Sequence, residues 1–69
     1  MTLQQVNSSS LAEVGYEADS QTLTIVFRNG GTYEFFDVPE STYQALMAAG
    51  SHGEYFAQNI RGRYRYGKR

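Results

Sequence analysis

The sequence predicts an α+β domain, a three-stranded antiparallel meander followed by two short helices packed on one of its faces. Three observations carry this. Apolar and polar side chains alternate up to Asp37, the period of half-buried strands. The apparent strands are joined by short turn-forming stretches, so consecutive strands lie beside one another as a meander. After Pro39 the apolar residues recur at helical spacing.

Residues 1–7 are polar and read as a loose N-terminal segment. The first strand is Leu11 to Glu17, with Ala12, Val14 and Tyr16 on one face and Glu13 and Glu17 on the other. Ala18-Asp19-Ser20-Gln21 is a turn by composition. Thr22 to Arg28 is the strongest strand, Leu23, Ile25 and Phe27 alternating with Thr24, Val26 and Arg28. Asn29-Gly30-Gly31 tolerates the positive φ of a tight turn, and Thr32 to Asp37 returns as the third strand. A three-residue loop pairs Arg28 with Thr32, Phe27 with Tyr33 and Ile25 with Phe35. It thereby gathers Leu23, Ile25, Phe27, Tyr33 and Phe35 on one face. A two-residue loop at Asn29-Gly30 splits the aromatics, because a slip of one residue exchanges faces. The longer loop is therefore expected.

Pro39 suits a helix start, where its missing N–H costs nothing. Tyr43, Leu46 and Met47 then form a buried stripe, and Gly50 stops the helix in the left-handed conformation. Ser51-His52-Gly53-Glu54 has capping-box spacing for a second helix anchored by Tyr55, Phe56 and Ile60.

The chain has 69 residues, room for one domain, and no cysteine, which excludes disulfides and thiolate metal sites. A chain this short buries only ~60% of its unfolded surface, so its apolar and aromatic side chains carry the fold. The N-terminus lacks a basic stretch followed by an apolar run, and no apolar segment approaches the length that spans a bilayer. A cytoplasmic location and no membrane partner are expected. Catalysis finds little support. His52 is the only histidine and lies in the helix-capping turn, whereas nucleophilic chemistry needs a base held beside a nucleophile. Glu13, Glu17, Glu34 and Glu40 read as solvated faces or helix-start charges. No metal-ligand spacing exists, and Gly30-Gly31 does not sit between a strand and a helix as a phosphate loop does. Neither a catalytic residue, a metal nor a cofactor is implied.

The net charge of −1 conceals an asymmetry. Residues 1–60 hold all seven acidic residues and only Arg28 as a cation, whereas residues 61–69 hold Arg61, Arg63, Arg65, Lys68 and Arg69 and no acid. Within that tail Arg63-Tyr64-Arg65-Tyr66 alternates cation and ring, and alternate residues of an extended chain point to opposite sides. Two readings stay open. The arginines meet phosphates while Tyr64 and Tyr66 stack on bases, or the tyrosines pin the tail to the sheet while the arginines balance an acidic body. Tyr33 and Phe35 pose a similar choice, between an exposed base-stacking pair and the core that the register argument favours.

The pattern also resembles a known family, the KTSC domain. The resemblance rests on Ser8-Ser9, Val14-Gly15-Tyr16, Leu23-x-x-x-Phe27, Gly31-x-Tyr33-x-Phe35, Val38-Pro39, Tyr43, Ser51-x-Gly53-x-Tyr55-Phe56 and Ile60-Arg61. The central Tyr-x-Tyr of that family reads Tyr33-Glu34-Phe35 here, the second ring lacking its hydroxyl. The family takes its name from the C-terminal domain of some lysyl-tRNA synthetases and also occurs as short stand-alone bacterial and phage proteins. The resemblance implies a domain over residues 8–60, followed by a basic, aromatic tail over residues 61–69. The expected function is non-catalytic binding of RNA or another single-stranded nucleic acid. Arg61, Arg63, Arg65, Lys68 and Arg69 would meet phosphates, and Tyr64 and Tyr66 would stack, with Tyr33 and Phe35 a second stacking pair. The alternative is a protein-interaction module or a homodimer, its tail docked on an acidic surface; an acidic body repels phosphate everywhere but at the tail.

Overall fold

The alternating segment that reads most clearly as a strand lies at the centre of the sheet. The structure is a computed structural model that describes residues 3–69. In chain order the elements are β1 (Gln4–Gln5), β2 (Leu11–Glu17), β3 (Thr22–Phe27), β4 (Thr32–Phe35), α1 (Glu40–Ala48), α2 (His52–Asn59) and β5 (Tyr66–Lys68). The described strands form one antiparallel sheet in sequential order, β1-β2-β3-β4-β5. The α+β class and the central meander are as expected, but the sheet has five strands where three are predicted. The two additions are short edge strands, and neither is long enough to show a period. In the segment read as loose, β1 pairs Gln4 with Val14 and Gln5 with Glu13. Val6 then donates its N–H to the Ala12 carbonyl at 3.1 Å and is buried.

Two details of the meander differ from the sequence pattern. In β2 a bulge between Leu11 and Glu13 breaks the strict alternation. Leu11, opposite Phe27, thereby takes the buried position expected of Ala12, while Val14 and Tyr16 stay on the core face opposite Ile25 and Leu23. A bulge adds one residue to one strand, so the pattern shifts phase within it.

In the β3–β4 hairpin Ile25 pairs with Tyr33 and Leu23 with Phe35, two residues away from the expected register. The loop has the expected three residues, but they are Arg28, Asn29 and Gly30. Phe27 receives a hydrogen bond from Gly30 N–H at 3.0 Å and donates to the Gly31 carbonyl at 2.7 Å. Either placement puts a glycine at the third loop position, where positive φ is required; Gly30 holds φ +104°. Packing decides between them. The expected register sets Phe27 squarely against Tyr33. The observed one offsets the two rings, in edge-to-face contact at 5.5 Å, and lays the Tyr33 ring over Gly31, where an added Cβ would meet its Cε1 at 3.0 Å. A shift of two residues preserves the face, so Leu23, Ile25, Phe27, Tyr33 and Phe35 still share one side.

Both helices cover that side. Pro39 precedes α1, and Leu46 is fully buried with Tyr43 and Met47 packed beside it. The ring of Tyr43 stacks on Tyr16 at 4.9 Å, and the Tyr16 hydroxyl donates to the Val38 carbonyl. The first helix does not end on a left-handed Gly50. Ala49 leaves in an extended conformation. The Leu46 carbonyl accepts the Ala49 N–H at 3.3 Å and also a hydrogen bond from His52 Nδ1 at 2.8 Å, so the helix end is closed without a left-handed residue. Ser51 caps α2 as expected, its hydroxyl accepting the Glu54 N–H at 3.3 Å. Phe56 and Ile60 anchor that helix in the core with Leu11, Val14, Leu23, Ile25, Phe35, Val38 and Leu46.

Ile25→Ala should cost about 2–5 kcal/mol, as other large-to-small core changes do. Thermal melts check this, and an unchanged melting temperature would contradict the burial described. Burial first, and the charge of Glu40 second, raise the Tyr16 phenol above its usual 10.0. Its contribution to stability is therefore present below pH 10.0 and lost as pH rises through the higher folded-state value. Tyr16→Phe should lose ~0.5–1.5 kcal/mol at neutral pH, the worth of one hydrogen bond. It should also lose less stability than the parent between neutral and strongly alkaline pH. Denaturant titrations at both pH values measure the two differences.

Candidate functional site

The chain leaving α2 determines what the basic tail can do. Ile60 is fully buried at the end of the helix and donates to the Phe56 carbonyl at 3.0 Å, so Arg61 starts from a fixed point. Gly62, at φ +77°, turns the backbone in a conformation that a side chain would strain. Tyr64 packs against the core, its hydroxyl 3.4 Å from that of Thr42 on α1. The segment then joins the sheet as β5. Phe36 donates its N–H to the Arg65 carbonyl at 2.9 Å, and Arg69 donates to the Thr32 carbonyl at 2.8 Å.

The β4–β5 register sorts the tail by face. Tyr33 lies opposite Lys68, Phe35 opposite Tyr66, and Glu34 opposite Gly67. Facing residues of an antiparallel pair share a side, so Tyr66 and Lys68 project on the helix side of the sheet. The Tyr66 ring sits 5.8 Å from Tyr33 and 5.6 Å from Phe35, and the residue is 60% exposed. Beside it Phe56 reaches down from α2 into edge-to-face contact with Phe27 and Phe35, each at 5.4 Å.

The result is an open groove of about 750 Å³. Phe27, Tyr33, Phe35 and Phe56 contribute its rings and Tyr66 its outer wall. The Asn29-Gly30-Gly31 loop, Arg61 with Gly62, and Lys68 complete its lining. The volume falls within the range of clefts that hold small ligands, ~300–1,000 Å³.

The five tail cations divide between two roles. Arg65 reaches Asp37 at 3.2 Å, with both side chains largely exposed, and Arg69 reaches Glu34 at 3.9 Å. Arg63 Nε donates to the Gln58 carbonyl at 3.3 Å. Arg61 and Lys68, the two that line the groove, form neither an ion pair nor a side-chain hydrogen bond with a described residue. The structure thus brings Tyr33, Phe35, Tyr66, Arg61 and Lys68 together. It sets Arg63, Tyr64, Arg65 and Arg69 against the body of the domain. Phe27, Phe56 and Gly31 belong to the groove as well, with Gly62 of the tail itself, and no local pattern links the first three to the tail. The available signal is the pairing of Tyr66-Gly67-Lys68 with Tyr33-Glu34-Phe35, two alternating triplets that match when run antiparallel.

Elsewhere, His52 serves as a helix cap rather than facing a nucleophile. Among the described residues, no group of three or more His, Asp or Glu side chains is placed to hold a metal ion. Nor is any described helix long and apolar enough to cross a membrane.

Similarity to known proteins falls over almost the whole domain. The chain is 41% identical to a lysine–tRNA ligase of Trichormus variabilis over 58 residues, which are 84% of this chain and 10% of the ligase. The lysine–tRNA ligase of Nostoc punctiforme matches at 40% over a stretch of the same length. The chain thus spans about a tenth of the length of the ligases it matches. A protein of Tsukamurella paurometabola is 33% identical over 91% of this chain and 94% of its own length. The crystal structure of a KTSC domain protein from Yersinia pestis shares the fold with a TM-score of 0.97 at 38% identity, covering 99% of this chain and 96% of that one. The sequence pattern of the KTSC domain covers residues 7–64, from the turn before β2 to the ring that docks on α1. The domain described here, from its meander to the capped helices above it, is a member of the KTSC domain family.

Proposed function

We propose that this domain is a non-catalytic binding module for single-stranded nucleic acid, RNA above all, and that the aromatic groove is where it binds. The observation that carries the reading is the meeting of exposed Tyr66, half-buried Tyr33 and two cations without a partner among the described residues, Arg61 and Lys68, in one open cleft above the buried ring of Phe35. Rings offer a face to any unpaired base, and cations beside them meet the phosphates of the same strand. A duplex stacks its bases on one another and withholds those faces. Domains like this one form part of lysine–tRNA ligases, enzymes named for an RNA substrate, which supports RNA as the class.

Labelled single-stranded RNA should bind at low salt, and duplex DNA of equal length should bind more weakly. Tyr66→Ala removes an exposed ring without opening the core. It should weaken the single-strand complex by about 1–3 kcal/mol, the worth of one stacked base, and leave duplex binding nearly unchanged. Fluorescence anisotropy titrations measure all of this. Absence of binding at low salt rejects the reading. Sedimentation of the same samples then tells whether self-association, the protein-interaction alternative, is what the groove serves.

A further inference from the structure

We infer that the groove is a short-footprint site that takes about two nucleotides and contacts at most two phosphates, through Arg61 and Lys68 alone. The inference rests on the nucleic-acid reading above and narrows it, since the tail's composition by itself suggests five phosphate contacts. Three observations limit the number. The register of β5 turns Lys68 toward the groove with Tyr66 and leaves Glu34 opposite Gly67 on the reverse side, where Arg69 reaches it. Arg65 is engaged by Asp37, and Arg63 by the Gln58 carbonyl at the end of α2. Outside the tail the chain carries seven acidic residues against the single cation Arg28, whose Nε donates to the Ser8 carbonyl. A strand that runs past the groove in either direction therefore meets, among the described residues, only cations that already have a partner on the domain, on a body where acids outnumber bases.

The binding unit follows from the same geometry. Tyr66 stands exposed beside Tyr33 and Phe35, which gives one base a ring to stack on. Phe27 and Phe56 continue the aromatic floor, with Gly30 and Gly31 keeping that end of the cleft free of bulk. A single strand presenting two adjacent bases would set one beside Tyr66 and the next toward Phe27. A longer strand gains no contacts, only more registers in which to bind. Selectivity then lies in the unpaired, stackable state of the bases more than in a long sequence, because phosphate contacts carry no sequence information.

The test is a calorimetric titration of the full chain with oligoadenylates of one, two, four and eight nucleotides at a series of salt concentrations. Affinity should rise from one nucleotide to two, and beyond that only in proportion to the number of registers. The slope of log K against log salt should be about −1.4 for two phosphates, against about −3.5 if all five cations of the tail take part. Arg61→Ala with Lys68→Ala should flatten the slope by about 1.4, whereas Arg65→Ala with Arg69→Ala should leave it unchanged. Melting curves of both pairs establish that the domain is folded. A steep slope that the second pair reduces would overturn the short footprint while leaving nucleic-acid binding intact. So would an affinity that climbs well beyond the register count between two and eight nucleotides. If none of the oligonucleotides binds at low salt, the underlying reading fails and the footprint with it.

Discussion

Phe56 is the contact on which most of this structure depends. Its ring is set edge-to-face against Phe27 on one strand and Phe35 on the next. That single side chain ties α2 to the middle of the sheet and fixes how far the two strands can slide. In a chain without disulfides and with little core to spare, three rings so interlocked contribute both buried area and geometry; such pairs are worth ~0.5–1.5 kcal/mol beyond their burial. Everything after α2 inherits its position from this anchor. Ile60 follows one turn later into the core, Gly62 reverses the chain, and β5 is delivered to the open edge of β4.

The electrostatics of the C-terminal segment follow from that delivery. An isolated basic tail would keep all its cations mobile and hydrated. Folded as a strand, it spends alternate residues on opposite sides, and the reverse side happens to carry acids. The resulting ion pairs are exposed, Arg65 and Asp37 at 81% and 75%, and contribute little stability by themselves, typically 0–1 kcal/mol. Their effect is to give two arginines a local partner, as the Gln58 carbonyl does for Arg63, and so to leave the charge on the groove side to Arg61 and Lys68.

Much of the fold is legible in the sequence because it depends on side-chain periodicity. The core face of β3 and β4, the start of α1 at Pro39 and the Ser51 cap of α2 all follow from pattern and local chemistry. What escapes has a common character. The hairpin register is ambiguous because Gly30 and Gly31 can both occupy the turn position, and only the fit of Tyr33 over Gly31 separates them. The bulge that substitutes Leu11 for Ala12 is set by pairing rather than by propensity. The end of α1 is closed by the Ala49 N–H and by His52, a side chain six residues on, both bonded to the Leu46 carbonyl, and no local pattern announces the second of these. For the site, the individual rings and cations stand out in the sequence, but their grouping does not. The groove exists only because β5 pairs with β4, and a three-residue strand centred on glycine and flanked by arginines shows itself only when set against the triplet it pairs with.

The family pattern covers residues 7–64, whereas β5 begins at Tyr66. The floor of the groove lies within that pattern, and the outer wall comes from the strand that follows it. Tyr66 and Lys68 are exposed, and no fully buried side chain belongs to their strand. The cleft thus joins a floor of buried and half-buried rings to a wall of exposed side chains. Exchanging two side chains at a sheet edge would reshape that wall while leaving the contacts of Phe56 with Phe27 and Phe35 in place.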